Sequence, residues 1–173
     1  PERVDLNTWT LTVFLKGGAE AKFRASDDWG VNWGGSDFPS GTGTQDGPNI
    51  PIPNDGYYKI IFNDQTGDYT FTALATKDFT TVGVIGSATA GGWDSDTDLT
   101  QDTFNRHIWS GEITLIDGEA KFRAENDWAD NWGSTSYPSG YGIGGGDNIP
   151  VKAGTYFVWF NDCCGMYVDQ VYS

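Results

Sequence analysis

The chain has 173 residues, 38% apolar and 15% aromatic, with 24 acidic against 10 basic side chains and a formal net charge of −14. That charge leaves no basic stripe to displace counterions from nucleic acid, and it repels anionic polysaccharide and acidic lipid, so a glycan partner is expected to be neutral. No stretch reaches the roughly 20 apolar residues of a membrane-spanning helix, and two cysteines are too few for a disulfide framework.

The first predicted strand is TWTLTVFL, where Trp9, Leu11, Val13 and Leu15 alternate with Thr8, Thr10 and Thr12. A period of two marks a half-buried strand and puts Trp9 in the core. EAKFRASDDWGVNWGG follows from Glu20 to Gly35, then a strand with Tyr58, Ile60 and Phe62 inward and Lys59 and Ile61 outward. ALATKDFTT, Ala73 to Thr81, is expected to be a short linker. After it, IWSGEITL buries Trp109, Ile113 and Leu115, and EAKFRAENDWADNWGS runs from Glu119 to Ser134. Alternation in AKFRA turns Ala120, Phe122 and Ala124 one way and Lys121 and Arg123 the other, which places the cations on the polar face. The last strand reads Tyr156, Val158 and Phe160 inward, Phe157 and Trp159 outward. It ends in a hairpin turn, NDCCGMY, that replaces the NDQTGDY of Asn63 to Tyr69. Cys163 and Cys164 in that turn are read as free thiols or a vicinal disulfide.

The two long strings lie 99 positions apart (121 − 22 for the lysines), and PSG, NIP and FND recur in order, at Pro39, Asn49 and Phe62 against Pro138, Asn148 and Phe160. A period this long means two tandem domains and not a solenoid unit. With turn residues between short strands and no sustained helical period, each is expected to be an all-β sandwich. The expected domains are 1–75 and 79–173. Copy two carries Thr81 to His107 before its Trp109, whereas copy one has only eight residues before Trp9. Copy one is therefore expected to lack its opening strand, either truncated or completed by another segment, with an open sheet edge. The chain starts at Pro1 with no leader, and the expectation is a mature or trimmed product whose export signal or lipid anchor has been removed.

VGVIGSATAGGWD, then EAKFRAENDWADNWG, a Gly-rich loop and DNIPVKAGTYFVWFND together resemble the starch-binding modules of the SusE and SusF family, surface lipoproteins of Bacteroidetes polysaccharide-utilisation systems. A similar W-x-x-N-aromatic-G string occurs in small modules of pullulan-degrading enzymes. The resemblance implies immunoglobulin-like sandwiches, no catalysis, and capture of glucan at the outer-membrane surface beside a transporter and other glycan-uptake proteins. It also carries the aromatic of the first loop over to Trp93 as part of a sugar platform; copy one has no such residue.

Neutral glycans present apolar CH faces ringed by hydroxyls, and their binders combine flat aromatics with hydrogen-bonding side chains. In copy two the candidates are Trp93, Trp128, Lys121, Arg123, Asn131 and Trp132; a weaker first-repeat site would use Lys22, Trp29, Asn32 and Trp33. Each has a structural alternative, because DW-x-x-NWG could be a corner in which one Trp plugs the sandwich, and the cations could pair with acids such as Asp127. Catalysis is disfavoured. A glycosidase needs two carboxylates about 5 to 10 Å apart, yet of Glu125, Asp127 and Asp130 only Asp127 has an acidic counterpart, Asp28, in copy one. DSDTD at Asp94 to Asp98 fails as an EF-hand, with Leu99 where Gly and Asn105 where Glu is required. No cofactor or metal is expected. The alternative to a glycan binder is an assembly or adhesion module, docking through Phe157 and Trp159 or holding calcium in another kind of site.

Overall fold

The computed structural model describes residues 1–171; Tyr172 and Ser173, the last positions of the expected second domain, lie outside the described residues. Strands joined by turns, bends and irregular segments make up the described chain, with no helix among them, and the contacts divide it into two compact units, Pro1–Thr76 and a second that begins at Lys77. Each unit is a β-sandwich whose strand pairs are all antiparallel, as the period-two patterning predicts.

In the second unit one sheet runs in the order Thr100–Gln101, Ile108–Leu115, Gly154–Asn161, Met166–Val171, Ser139–Tyr141. The first unit repeats this order with Glu2–Arg3, Thr8–Leu15, Gly56–Asn63, Asp68–Ala73 and Ser40–Thr42. The register is repeated too: Trp109 pairs with Phe160 and Trp9 with Phe62. The other sheet of the second unit orders Thr97–Asp98, Val82–Ile85, Gly118–Ala124, Asn131–Gly133 and Ile143–Gly144, with Ile149–Val151 also paired to Gly118–Ala124. Among the described residues the first unit has counterparts of the later strands, with no strand in the places of Val82–Ile85 or Thr97–Asp98.

Both cores use one aromatic arrangement. Phe122 lies flat on Phe160 with centroids 4.3 Å apart, and Trp132 meets Phe160 edge-on at 5.1 Å. Phe23, Phe62 and Trp33 repeat it at 4.1 and 5.1 Å. Such pairs add about 1 kcal/mol each beyond area burial. The repeated FND string makes a second shared feature, in which the indole Nε1 of Trp109 donates to Asp162 Oδ2 at 2.8 Å and that of Trp9 to Asp64 Oδ2 at 2.9 Å. The backbone amides of these aspartates donate to the carbonyls of His107 and Asn7. A buried indole N–H requires an acceptor, and the duplication preserves it.

Three expectations need correction. Leu11, read as inward, is 37% exposed, while the intervening Phe14 is buried and packs edge-on against Tyr57. Phe79, read as linker, is buried in the second core and meets Trp132 edge-on. Lys121 and Arg123, assigned to a polar face, are only 8% and 7% exposed, since loops from elsewhere in the unit cover that face as well.

Candidate glycan-binding site

Trp93 sits at the tip of the loop after Val82–Ile85. Thr89, nearly buried, donates its hydroxyl to Gly86 O, and the Gly92 and Asp94 amides donate to Thr89 O and Gly91 O. Gly92 adopts φ +57, and a Cβ on Gly91 would stand 2.3 Å from Ser95 Oγ. Only glycine fits this pair without strain, and the tight coil pushes the next residue, Trp93, outward.

Trp128 is presented by the loop between Gly118–Ala124 and Asn131–Gly133. Glu125 and Asn126 take φ of +56 and +54, the Asp127 carboxylate accepts from Ala129 N, and Asn131 Nδ2 donates to Trp128 O at 2.9 Å. Glu125 anchors the loop by accepting from the amide and hydroxyl of Thr80, bonds that hold its carboxyl below the usual range. Gly133 lies so close to Asp147 O that a Cβ would stand 1.9 Å away.

These loops bring Trp93 and Trp128 together with ring centroids 6.1 Å apart and planes inclined by 35°, the rings 39% and 45% exposed. Behind them stand the Arg123 guanidinium, 4.8 Å from the Trp128 centroid, and the Lys121 ammonium at 5.9 Å. Arg123 is fixed from its far side by Asp96 at 2.6 Å. Burial pushes the Lys121 amine below its usual range, partly opposed by Asp147. Cations held this close to an indole support the ring and stiffen it. The result is a shallow aromatic trough backed by two nearly buried cations.

Of the sequence candidates, Trp93, Trp128, Lys121, Arg123 and Asn131 come together here, Asn131 as the prop of Trp128. Trp132 faces the core and is left out of the trough. In the first unit Trp29 is 59% exposed with the Arg24 guanidinium 5.0 Å from its centroid. Asn32, almost fully buried, props that loop by donating to Trp29 O and to Asp46. Lys22 lies beside Gly34, and Trp33 belongs to the core. No second ring pairs with Trp29 among the described residues. Sequence reasoning missed Asp96, whose role could be read only from its partner Arg123.

The carboxylates nominated for catalysis are engaged: Asp127 in its turn, Glu125 by Thr80, and Asp130 by Lys77 at 2.6 Å. His107, Asp162 and Cys163 offer ligand atoms within 4.8 Å of one another, and two of these groups, His107 and Asp162, are already paired with each other while Asp162 also accepts from Trp109. Both cysteines are free thiols.

No protein-family model matches the chain, and no curated protein matches it. Among solved structures, SusF from Bacteroides thetaiotaomicron aligns with 99% of this chain at 16% identity and a TM-score of 0.47. The chain spans 44% of the length of that protein.

Proposed function

We propose that the chain is a non-catalytic carbohydrate-binding protein whose second unit holds a neutral glucan, of the starch type first, on Trp93 and Trp128. The observation that carries this reading is the pair of half-exposed indoles, built by two separate loops at 6.1 Å and 35°. Large rings are left in water at a cost unless a partner covers them, and an inclined pair follows a curved α-glucan better than a flat ribbon. The engaged carboxylates support a binder over a hydrolase, and the commitment of Asp96 to Arg123 takes one ligand from any calcium site in DSDTD. On this reading the protein works at an outer-membrane surface, held by a lipid anchor and beside a glycan transporter. The support for that location is the sequence resemblance.

Affinity gel electrophoresis against starch, pullulan, laminarin, xyloglucan and alginate tests the class. Starch and pullulan should retard the protein and alginate should not; migration unaffected by every neutral polymer would overturn the proposal in favour of an assembly module. The Trp29→Ala variant should be retarded by starch within about twofold of the parent, since one ring without a neighbour makes a weak site. Loss of retardation in that variant would move the site to the first unit.

A further inference from the structure

The corner that both units share carries additions in the second. In each unit the aspartate of the FND string accepts from a core indole, Asp64 from Trp9 and Asp162 from Trp109. The turns that follow close alike. The Gln65 and Cys163 amides donate to Asn63 Oδ1 and Asn161 Oδ1, both at 2.9 Å, and the Gly67 and Gly165 amides donate to the carbonyls of Asn63 and Asn161. The first unit builds this corner with Asn7 and Gln65, where the second has His107 and Cys163. Neither an imidazole nor a thiol is therefore needed to form the turn or to satisfy the indole. Both nevertheless stand against the same carboxylate: His107 Nδ1 is 2.7 Å from Asp162 Oδ1, and one ligand atom from each of the three residues lies within 4.8 Å of the others.

We propose that His107 Nδ1, Asp162 Oδ1 and Cys163 Sγ form a binding site for a divalent cation of the zinc class. Ligands held at about 2.0 to 2.3 Å from a tetrahedral ion stand about 3.3 to 3.7 Å from one another. Shifts of about 1 Å bring the three atoms to that spacing, and the exposed turn that carries Cys163 supplies the movement. Imidazole, carboxylate and thiolate together suit zinc or cobalt, whereas calcium and magnesium take oxygen ligands. The surroundings serve as outer partners that orient the ligands. Trp109 Nε1 holds Asp162 Oδ2 at 2.8 Å and leaves Oδ1 on the His107 side. His107 Nε2 lies 3.7 Å from Asp78 Oδ1, a carboxylate also paired with Arg106. With the ion on Nδ1 the imidazole proton sits on Nε2, facing Asp78, and the thiol proton passes to water. His107 and Asp162 are buried and Cys163 is exposed, so the fourth position opens beside Cys163 and takes a water. The ion is a structural clamp, tying the hairpin between Gly154–Asn161 and Met166–Val171 to the segment that leads into Ile108–Leu115.

The test is titration of the reduced, chelator-treated full chain with Zn²⁺ and with Co²⁺. One zinc ion per chain should bind, and the cobalt form should show the visible bands of a tetrahedral ion together with a thiolate-to-metal charge-transfer band in the near ultraviolet. Cys163→Ser, a change in an exposed turn, should keep the fold by circular dichroism, abolish the charge-transfer band and weaken zinc by about 100-fold, the upper end of what even an outer partner costs. Cys164→Ser should match the parent in both respects. Zinc should raise the thermal midpoint of the parent and leave that of Cys163→Ser where it was, because a ligand held only by the folded state stabilises it. Absence of stoichiometric binding would overturn the proposal. So would zinc affinity unchanged in Cys163→Ser, which would place the ion on acidic side chains elsewhere, or a charge-transfer band removed by Cys164→Ser instead.

Discussion

Asp162→Ala should destabilise the second unit by about 3 kcal/mol, the scale for two buried hydrogen-bonding groups that each lose their partner at about 1 to 3 kcal/mol. Asp162 accepts from His107 Nδ1 at 2.7 Å and Trp109 Nε1 at 2.8 Å, with both partners at most 1% exposed. Removing the carboxylate strands two buried donors as well as leaving a cavity. The equivalent change in the first unit, Asp64→Ala, strands the indole of a partly buried Trp9 and releases an exposed Gln65 amide, and should cost about 1 kcal/mol. Urea unfolding followed by near-ultraviolet circular dichroism measures both. A loss below 1 kcal/mol in Asp162→Ala would show that the corner contributes little.

The second large effect is on pH. Asp169 is 7% exposed on the Met166–Val171 strand, its Oδ1 has no hydrogen-bond partner among the described residues, and burial pushes its carboxyl up to about 7. Tyr137 and Tyr167 are the titratable groups near it. The same position in the first unit is the buried Phe71: the two amides donate to Pro138 O and Pro39 O. A carboxyl whose folded pKa is raised keeps its proton in the folded state over a range where the unfolded chain has lost it. Its contribution is therefore whole below the unfolded value near 4 and is lost as pH climbs to about 7. Three units correspond to about 4 kcal/mol as an upper bound. Thermal unfolding from pH 4 to 8 should show the parent losing stability relative to Asp169→Asn over this window, then running level above it. Parallel curves would mean that Asp169 is ionised in the fold throughout.

The repeat made much of this legible. Period-two alternation located Trp109, Ile113, Tyr156, Val158 and Phe160 in the core, and the recurring strings matched the repeated strand register. Alternation along one strand cannot reveal what lies across its outer face, so Lys121 and Arg123 read as solvated although Trp128 and Asp96 cover them. The pairing of Trp93 with Trp128 depends on two loops 35 positions apart in sequence (128 − 93), and the resemblance suggested the first ring while only the fold sets its distance to the second. Asp169 was overlooked because a polar residue near the end of a strand reads as an ordinary edge position. Its burial emerges only from the comparison with Phe71.

The account turns on the paired indoles, and the most direct measurement is calorimetric titration of a soluble malto-oligosaccharide into the parent and into Trp93→Ala. Among the described residues Trp93 makes no hydrogen bond that shapes its loop, so the variant should fold with an unchanged thermal midpoint. A residue at the centre of a binding site typically contributes about 2 kcal/mol, so affinity should fall about 30-fold. A folded Trp93→Ala protein that binds the oligosaccharide as tightly as the parent would contradict the platform.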